Sequence, residues 1–452
     1  KKTQQKTQQH KNKPNLGGVL PYLPPNFPGG LKKNNASLFL LTSPAARKPE
    51  GVKKTAGVKK IMAPPFQKQE YDFRVTRVRE AMIAKGLDVL IMGDPGNINW
   101  ICGFDAWSFY TPQMMILDLS NGPIWLGREM DAGAAKFTTY LSSKSIVSYP
   151  EELVQRPNAH PSEYLADWMN SAGYGSAKIG YESDVYFLSP KSLGYLKKGL
   201  PNAHWIDADL LVNWVRVVKS DAELKMMQEA AQIADHAMKI AWERTRVGVR
   251  QSELMSEIVA AQIKGTKGFG GDMPALHPLI LAGESASTAH PMWTDEKLKD
   301  GQTIAFELGG CRKRYNVGLA RTVHLGKELP KLLKETFKAV EEGMAAVMNK
   351  MSSGVKAGEV HSAWQDVLNR YGLEKKSRIG YSIGVGYPPD WGEHTISFRP
   401  EEKTILPENA VVHIILGMWM DGWGMELSET LHVQKNDCRR LSKFPQHIEL
   451  IS

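Results

Sequence analysis

The sequence predicts an α/β domain followed by an α+β domain whose helices pack on a curved antiparallel sheet. Three observations lead to that reading. Strand-like and helix-like runs alternate from Tyr71 to about Trp214, the pattern of an α/β unit. A long amphipathic helix with its own start signal opens at Ser220. Beyond it, further helices are interleaved with strand-like runs, and 452 residues are enough for two or three domains.

Residues 1–66 carry twelve Lys and Arg47 against the single acid Glu50, with no sustained hydrophobic periodicity. Such a composition buries too little apolar surface to offset the entropy of ordering, so the segment reads as a disordered basic tail. A linker is favoured for it over an organelle address or a mis-set start codon. The first domain is expected over 67–215. Phe73, Val75, Val78, Met82 and Ile83 lie at helical spacing before Gly86, which suits a helix stop. "LDVLIMG" follows as a buried strand, and "PGNINWICGF" reads as a turn and a second strand.

The second domain is expected over 216–452. Ser220 is a good N-cap with Glu223 at the capping-box position. Leu224, Met227, Ala231, Ala234 and Met238 then share one helix face. Further helices are expected at 251–264, 330–351 and 360–371. The strand-like runs are "TIAFELGG", "NVGLARTVHLG", "AVVHIILGMWM" and "ETLHVQ".

Composition excludes several classes. No apolar run approaches the roughly 20 residues of a membrane-spanning helix. Cys102, Cys311 and Cys438 are few, odd in number and far apart, which argues against a disulfide framework or a zinc knuckle. A reducing, cytoplasmic setting is the expectation. The net charge of +9 comes from the tail; the remainder holds 44 bases and 47 acids. No nucleic-acid partner is expected for a domain so balanced.

One residue breaks the pattern. Thr303, Ile304, Ala305 and Phe306 read as an interior strand, Glu307 follows at once, and Gly309-Gly310 is expected to turn the chain. Burying an ionised carboxylate without a partner costs several kcal/mol, roughly, so Glu307 calls for a reason. A core salt bridge to Arg312 or Arg314 is the bland one. Catalysis is the other.

The second domain resembles the pita-bread superfamily of methionine aminopeptidase, prolidase and creatinase. The resemblance rests on "KSDAELKMMQEAAQIADHAM", "AHPMWTDEKLKDGQTIAFELGGCRKRYNVGLARTVHLG", "IGYSIGVGYPPDWGEHT" and "MELSETLHV", in the family's order over about 216–435. The metallopeptidases of that superfamily bind two metal ions through two Asp, one His and two Glu. Carried across motif by motif, those positions fall on Glu307, Gly318, Tyr381, Ile415 and Ser428. Such a site needs about four to six hard, charged ligands, so one carboxylate cannot hold it. Glu426 and Glu429 lie near the last position, where a register slip restores one ligand at most. No metal and no other cofactor is expected.

"GFDAWSFYTPQMMIL", "GFGGDMPALHPLI", "GYSIGVGYPPDWGEHTISFRP" and "GMWMDGWGMELSE" narrow the resemblance to the ectoine hydrolase family, over roughly 68–435. It implies a homodimeric cytoplasmic hydrolase that opens a cyclic amidinium ring to an acetylated diaminobutyrate, with ectoine as its small-molecule partner. Glu307 would form a covalent adduct with the ring carbon. His290, in "STAHP", matches the superfamily His that moves protons, although a lone loop His is commonly structural. Glu393 and His394, in "DWGEHT", would orient the leaving amine; for Glu393 a capping role is the alternative. Tyr381 would fill the vacated metal space and donate a hydrogen bond. Trp107, Phe109 and Tyr110 would close over the amidinium, within the chain or from a partner subunit, with Trp419 lining the same pocket. The competing readings are a creatinase-type amidinohydrolase, a non-catalytic binding protein and an Xaa-Pro peptidase.

Overall fold

The computed structural model describes residues 63–452. The expected tail therefore lies outside the described residues except for its last four. Of these, Phe66 packs 6.0 Å from Tyr71 and 5.9 Å from Tyr315, ring centre to ring centre, under the Arg74 guanidinium. Phe66, read as the end of the tail, packs half-buried against the core.

The first domain is a six-stranded mixed sheet. Its strands are β1 (Val89–Met92), β2 (Met114–Asp118), β3 (Ile124–Arg128), β4 (Ile146–Tyr149), β5 (Lys178–Tyr181) and β6 (His204–Asp207), in the spatial order β4-β3-β2-β1-β5-β6. β2 runs antiparallel to both neighbours; the other pairs are parallel. The helix Lys68–Lys85 stops at Gly86 as its spacing predicts. "PGNINWICGF" differs, because Pro95–Cys102 is a helix. Asp94 caps it by accepting from the Gly96 N–H at 2.8 Å, and Pro95 sits where no N–H is needed. All eight residues are buried, so no amphipathic period betrays the helix.

The second domain opens on the expected capping box. Ser220 Oγ accepts from the Glu223 N–H, and the Glu223 carboxylate accepts from the Ser220 N–H at 3.0 Å. The helix Asp221–Arg244 follows, then Gln251–Lys264, Lys331–Lys350 and Ala357–Tyr371. The strands are β7 (Leu279–Ala282), β8 (Thr303–Arg312), β9 (Tyr315–Leu325), β10 (Gly380–Ile383), β11 (Gly392–Ser397), β12 (Val411–Ile415), β13 (Met418–Met420), β14 (Trp423–Met425), β15 (Ser428–Val433), β16 (Cys438–Arg440) and β17 (Glu449–Ile451). They form two main sheets, β17-β9-β8-β7 and β11-β10-β12-β15-β16, with β13-β14 as a separate hairpin. Side chains join the sheets: Thr430 Oγ1 accepts from the Gly318 N–H at 3.1 Å, and Ser428 Oγ from the Ala320 N–H at 2.6 Å.

Two expectations change here. "AVVHIILGMWM" is split at Gly417, whose carbonyl accepts from Lys375 Nζ at 2.9 Å instead of from a strand. Gly309-Gly310 is not a turn; β8 runs on to Arg312, and Lys313 and Arg314 turn the chain with φ of 51° and 67°. The glycines serve close approach. A Cβ on Gly310 would lie 1.9 Å from the Ala230 carbonyl oxygen in the long helix, and one on Gly309 would meet the Trp391 ring at 2.5 Å. Gly310→Ala is therefore expected to cost about 1–3 kcal/mol through overpacking, measured by urea unfolding. A loss within about 0.5 kcal/mol, the range of neutral surface changes, would mean that the helix is free to shift.

Candidate active site

Alternation along β8 sends Gly310 toward the long helix and Glu307 with Gly309 toward the second sheet. Glu307 lies mid-sheet, opposite Leu279 of β7 and Ala320 of β9, and is 5% exposed. Among the described residues no cation or hydrogen-bond donor reaches its carboxylate. Arg312 instead binds Glu229 at 2.9 Å and the Gly270 carbonyl, and Arg314 binds Asp105 at 2.8 Å. The bland explanation for a buried Glu307 is thus removed.

Burial pushes the Glu307 carboxyl well above its ordinary 4.5, and the carboxylates of Glu426 and Asp390 push it further. A carboxyl raised in this way holds its proton more readily folded than unfolded. Its contribution to stability is therefore lost as pH rises from 4.5 through the folded value. Glu307→Gln is expected to melt with the wild type near pH 4 and above it at pH 8, by roughly 2–4 °C per kcal/mol relieved. Parallel melting curves across that range would show that the buried carboxyl carries no such strain.

The superfamily's metal ligands do not fit this interior. A Cβ on Gly318 would lie 2.5 Å from His413 Cε1, so the imidazole occupies the room of the second Asp. His413 Nε2 is 2.8 Å from Ser428 Oγ, and burial lowers its pKa to about 3. The Tyr381 hydroxyl accepts from Trp391 Nε1 at 2.8 Å, and both rings stand edge-on to His413. Glu429 is consumed by Arg321 at 2.6 Å, Arg440 at 2.9 Å and Gln446 at 2.9 Å. Among the described residues no three His, Cys, Asp or Glu are grouped to hold an ion.

The expected site residues divide. Tyr381 faces Glu307; burial raises its hydroxyl, and the Glu307 charge raises it further. Trp419 lies beside Glu426, with the Lys375 ammonium 3.8 Å over its ring, so its face is already taken by a cation. His394, at φ 59°, bonds Asp390 Oδ2 at 2.9 Å, which raises its pKa, and Asp390 in turn acts on Glu307. Glu393 goes elsewhere. Both its oxygens accept from Lys219 Nζ, at 2.8 and 2.7 Å, and its carbonyl accepts from Asn213 of the first domain at 3.1 Å.

The Phe109 ring packs tilted against Trp107, 4.8 Å between centres, and edge-on to Tyr387 at 5.9 Å, joining the first-domain loop to the segment before Asp390. Trp107, half exposed, lines a cleft of about 350 Å³ with Ile263, Met273, His277 and Pro388. Tyr110 is 66% exposed, and its hydroxyl accepts from Arg128. His290 is exposed in the loop after the short turn Gly283–Ser287, with no hydrogen bond to a described residue.

In the sequence Glu426 registers only as a slipped ligand, and Asp390 and His413 do not stand out as site residues. Glu426 stands between the apolar Met425 and Leu427, the same signal that marked Glu307. His413 in "VVHII" carried that signal too.

Residues 225–435 match the model of metallopeptidase family M24, and residues 74–218 match the creatinase/prolidase N-terminal domain. An ectoine hydrolase of Halomonas elongata is 36% identical over 391 residues, 85% of this chain and 98% of the relative. An uncharacterized hydrolase/peptidase of Sinorhizobium fredii, y4tM, is 35% identical over 385 residues, again 85% and 98%. A recombinant prolidase from Thermococcus sibiricus superposes with a TM-score of 0.74 at 17% identity, covering 84% of this chain and 99% of that one. The structural likeness carries the two-domain pita-bread fold.

Proposed function

This chain belongs to metallopeptidase family M24, with the creatinase/prolidase N-terminal domain, and we propose that it opens the cyclic amidine ring of ectoine without a metal, through a covalent adduct on Glu307. The observation that carries the reading is a buried Glu307 carboxyl with no cation beside it among the described residues, in an interior where His413 takes the room beside Gly318 and the Tyr381 and Trp391 rings stand edge-on to it. A cationic ring supplies the missing partner, and the ectoine hydrolase relative supports the choice of ring. The hydrolase class, acting on C–N bonds, follows from the family and that relative.

The chemistry asks little more of the site. Binding of the amidinium favours the ionised form of Glu307, which is stripped of water and so a stronger nucleophile. An oxygen of Glu307 bonds to the amidine carbon, one ring C–N bond breaks, and the departing nitrogen takes a proton. Water then adds to the same carbon, the bond to Glu307 breaks, and the amide is left. The second water proton ends on the freed amine, which leaves as an ammonium. Tyr381 donates a hydrogen bond to the adduct, and Trp107 and Phe109 cover the cation. The Asp390–His394 pair and the exposed His290 exchange protons with solvent. In this reading the enzyme acts in the cytoplasm as a homodimer, which sedimentation velocity measures.

Chelator-treated protein incubated with ectoine tests the reading, with ring opening followed by proton NMR. Acetyl-diaminobutyrate is expected without added metal, and none of the products of creatine or an Xaa-Pro dipeptide. Activity that returns only with metal would sink the metal-free mechanism. A second reading, a binding protein without turnover, is favoured by Trp391, whose ring lies fully buried against Gly309. It predicts that ectoine raises Tm and yields no product.

A further inference from the structure

The proposed mechanism needs a proton for the departing nitrogen and a place to put one from water. Glu426 meets the conditions for both. It leads from the β13-β14 hairpin into β15 and is 2% exposed. Thr322 Oγ1 fixes its backbone on both sides, donating to the Glu426 carbonyl at 2.9 Å and accepting from its N–H at 2.9 Å. Thr322 lies opposite Ala305, two residues before Glu307 and on the same side of β8. The two carboxyls thus act on each other across the gap between the sheets. Glu426 Oε2 is buried and makes no hydrogen bond of good geometry among the described residues; the Trp419 indole N–H, also unpaired, lies beside the carboxyl. An orphaned buried acceptor of this kind is costly unless it carries a proton or meets a ligand.

The Lys375 ammonium acts on Glu426 through its charge. Lys375 Nζ is held by the Gly417 carbonyl and Ser377 Oγ, each at 2.9 Å, and stands over the Trp419 ring. Lys375, Ser377, Gly417 and Trp419 line a cleft of about 370 Å³ that opens to solvent. The groups facing the carboxyl pair are Asp390 and Tyr381 beside Glu307, and Lys375 and Trp419 beside Glu426. Burial raises Glu426 to about 7, against the pull of Lys375, and burial lowers Lys375 to about 8. Both groups therefore change charge near neutral pH.

We propose that Glu426 is the site's proton carrier, giving a proton to the ring nitrogen as its C–N bond breaks and taking one from the attacking water as the bond to Glu307 breaks. Lys375 is its positioning residue, holding Glu426 ready from the cleft that opens to solvent. The inference rests on Glu307 as nucleophile. No oxidant, metal or second reactant is required, since the proton lent in the first step returns in the second.

Steady-state kinetics of the full chain on ectoine across pH test it. Glu426→Gln keeps the shape and cannot lend a proton; kcat is expected to fall about 10²–10⁴-fold, with KM within about five-fold, and the alkaline limb of the profile to vanish. Glu426→Asp is expected to keep that limb at a reduced rate, which covers the case of a misfolded Gln variant. Lys375→Met removes a cation that holds the Glu426 proton loosely, so the alkaline limb moves to higher pH. A structural lysine would lower stability and leave the limb in place. Glu426→Gln with kcat within about three-fold and the wild-type limb would overturn the proposal while the Glu307 reading stood. A wild type inert toward ectoine would overturn both.

Discussion

Glu307→Gln is expected to lose roughly 10⁴–10⁶-fold in kcat on ectoine while remaining folded, the scale of losing a covalent nucleophile. Gln fills the same volume between Gly309 and Ala320, so the packing around Trp391 is retained. What disappears is the oxygen that bonds to the amidine carbon and the charge that balances the cation. Glu307→Asp keeps the charge and withdraws the oxygen by one methylene. It is expected to bind ectoine with near-normal affinity and to turn over about 10²-fold more slowly. Glu307→Gln with more than about 1% of wild-type turnover would be too active for a missing nucleophile.

The second large effect concerns Lys219. Its ammonium and the Glu393 carboxylate form a buried pair, each side chain 1% exposed, at the seam between the domains. Lys219→Met leaves Glu393 charged and unpaired in the interior, a change expected to cost about 3–5 kcal/mol. The double change Lys219→Met with Glu393→Gln is expected to recover most of that loss in guanidinium unfolding. The same pair of variants decides the part of Glu393 in catalysis. A folded double variant with unchanged kcat assigns Glu393 to the seam; a variant that regains stability and not kcat assigns it to the leaving amine.

The architecture was legible where local signals were strong. The Ser220 capping box, the Gly86 stop and the alternating strands all register in sequence because backbone hydrogen bonding and period dictate them. The helix Pro95–Cys102 was not legible, since burial on every side erases amphipathicity. The glycines of "FELGG" read as a turn because sequence cannot show a helix backbone 1.9 Å from where a Cβ would be.

The candidate site shows the same division. A carboxylate in an apolar strand marked Glu307, and the motif spacing marked the positions where Gly318, Tyr381, Ile415 and Ser428 stand in place of the superfamily's ligand types. Tyr381 was read there from its motif position, but the approach of His413 to Gly318 and of Trp391 to Gly309 was beyond reach, because these residues come from separate segments that only the fold brings together. Glu393 and His394 are neighbours in sequence, yet one reaches Lys219 at the domain seam and the other Asp390. Adjacent strand residues point to opposite sides, so one motif serves two places.

The most direct measurement is mass spectrometry of the chelator-treated protein, acid-quenched during turnover of ectoine and digested. A substrate-derived mass is expected on the peptide that contains Glu307, present in the wild type and absent from Glu307→Gln. Turnover with that peptide unmodified, or with the adduct on another residue, would contradict it.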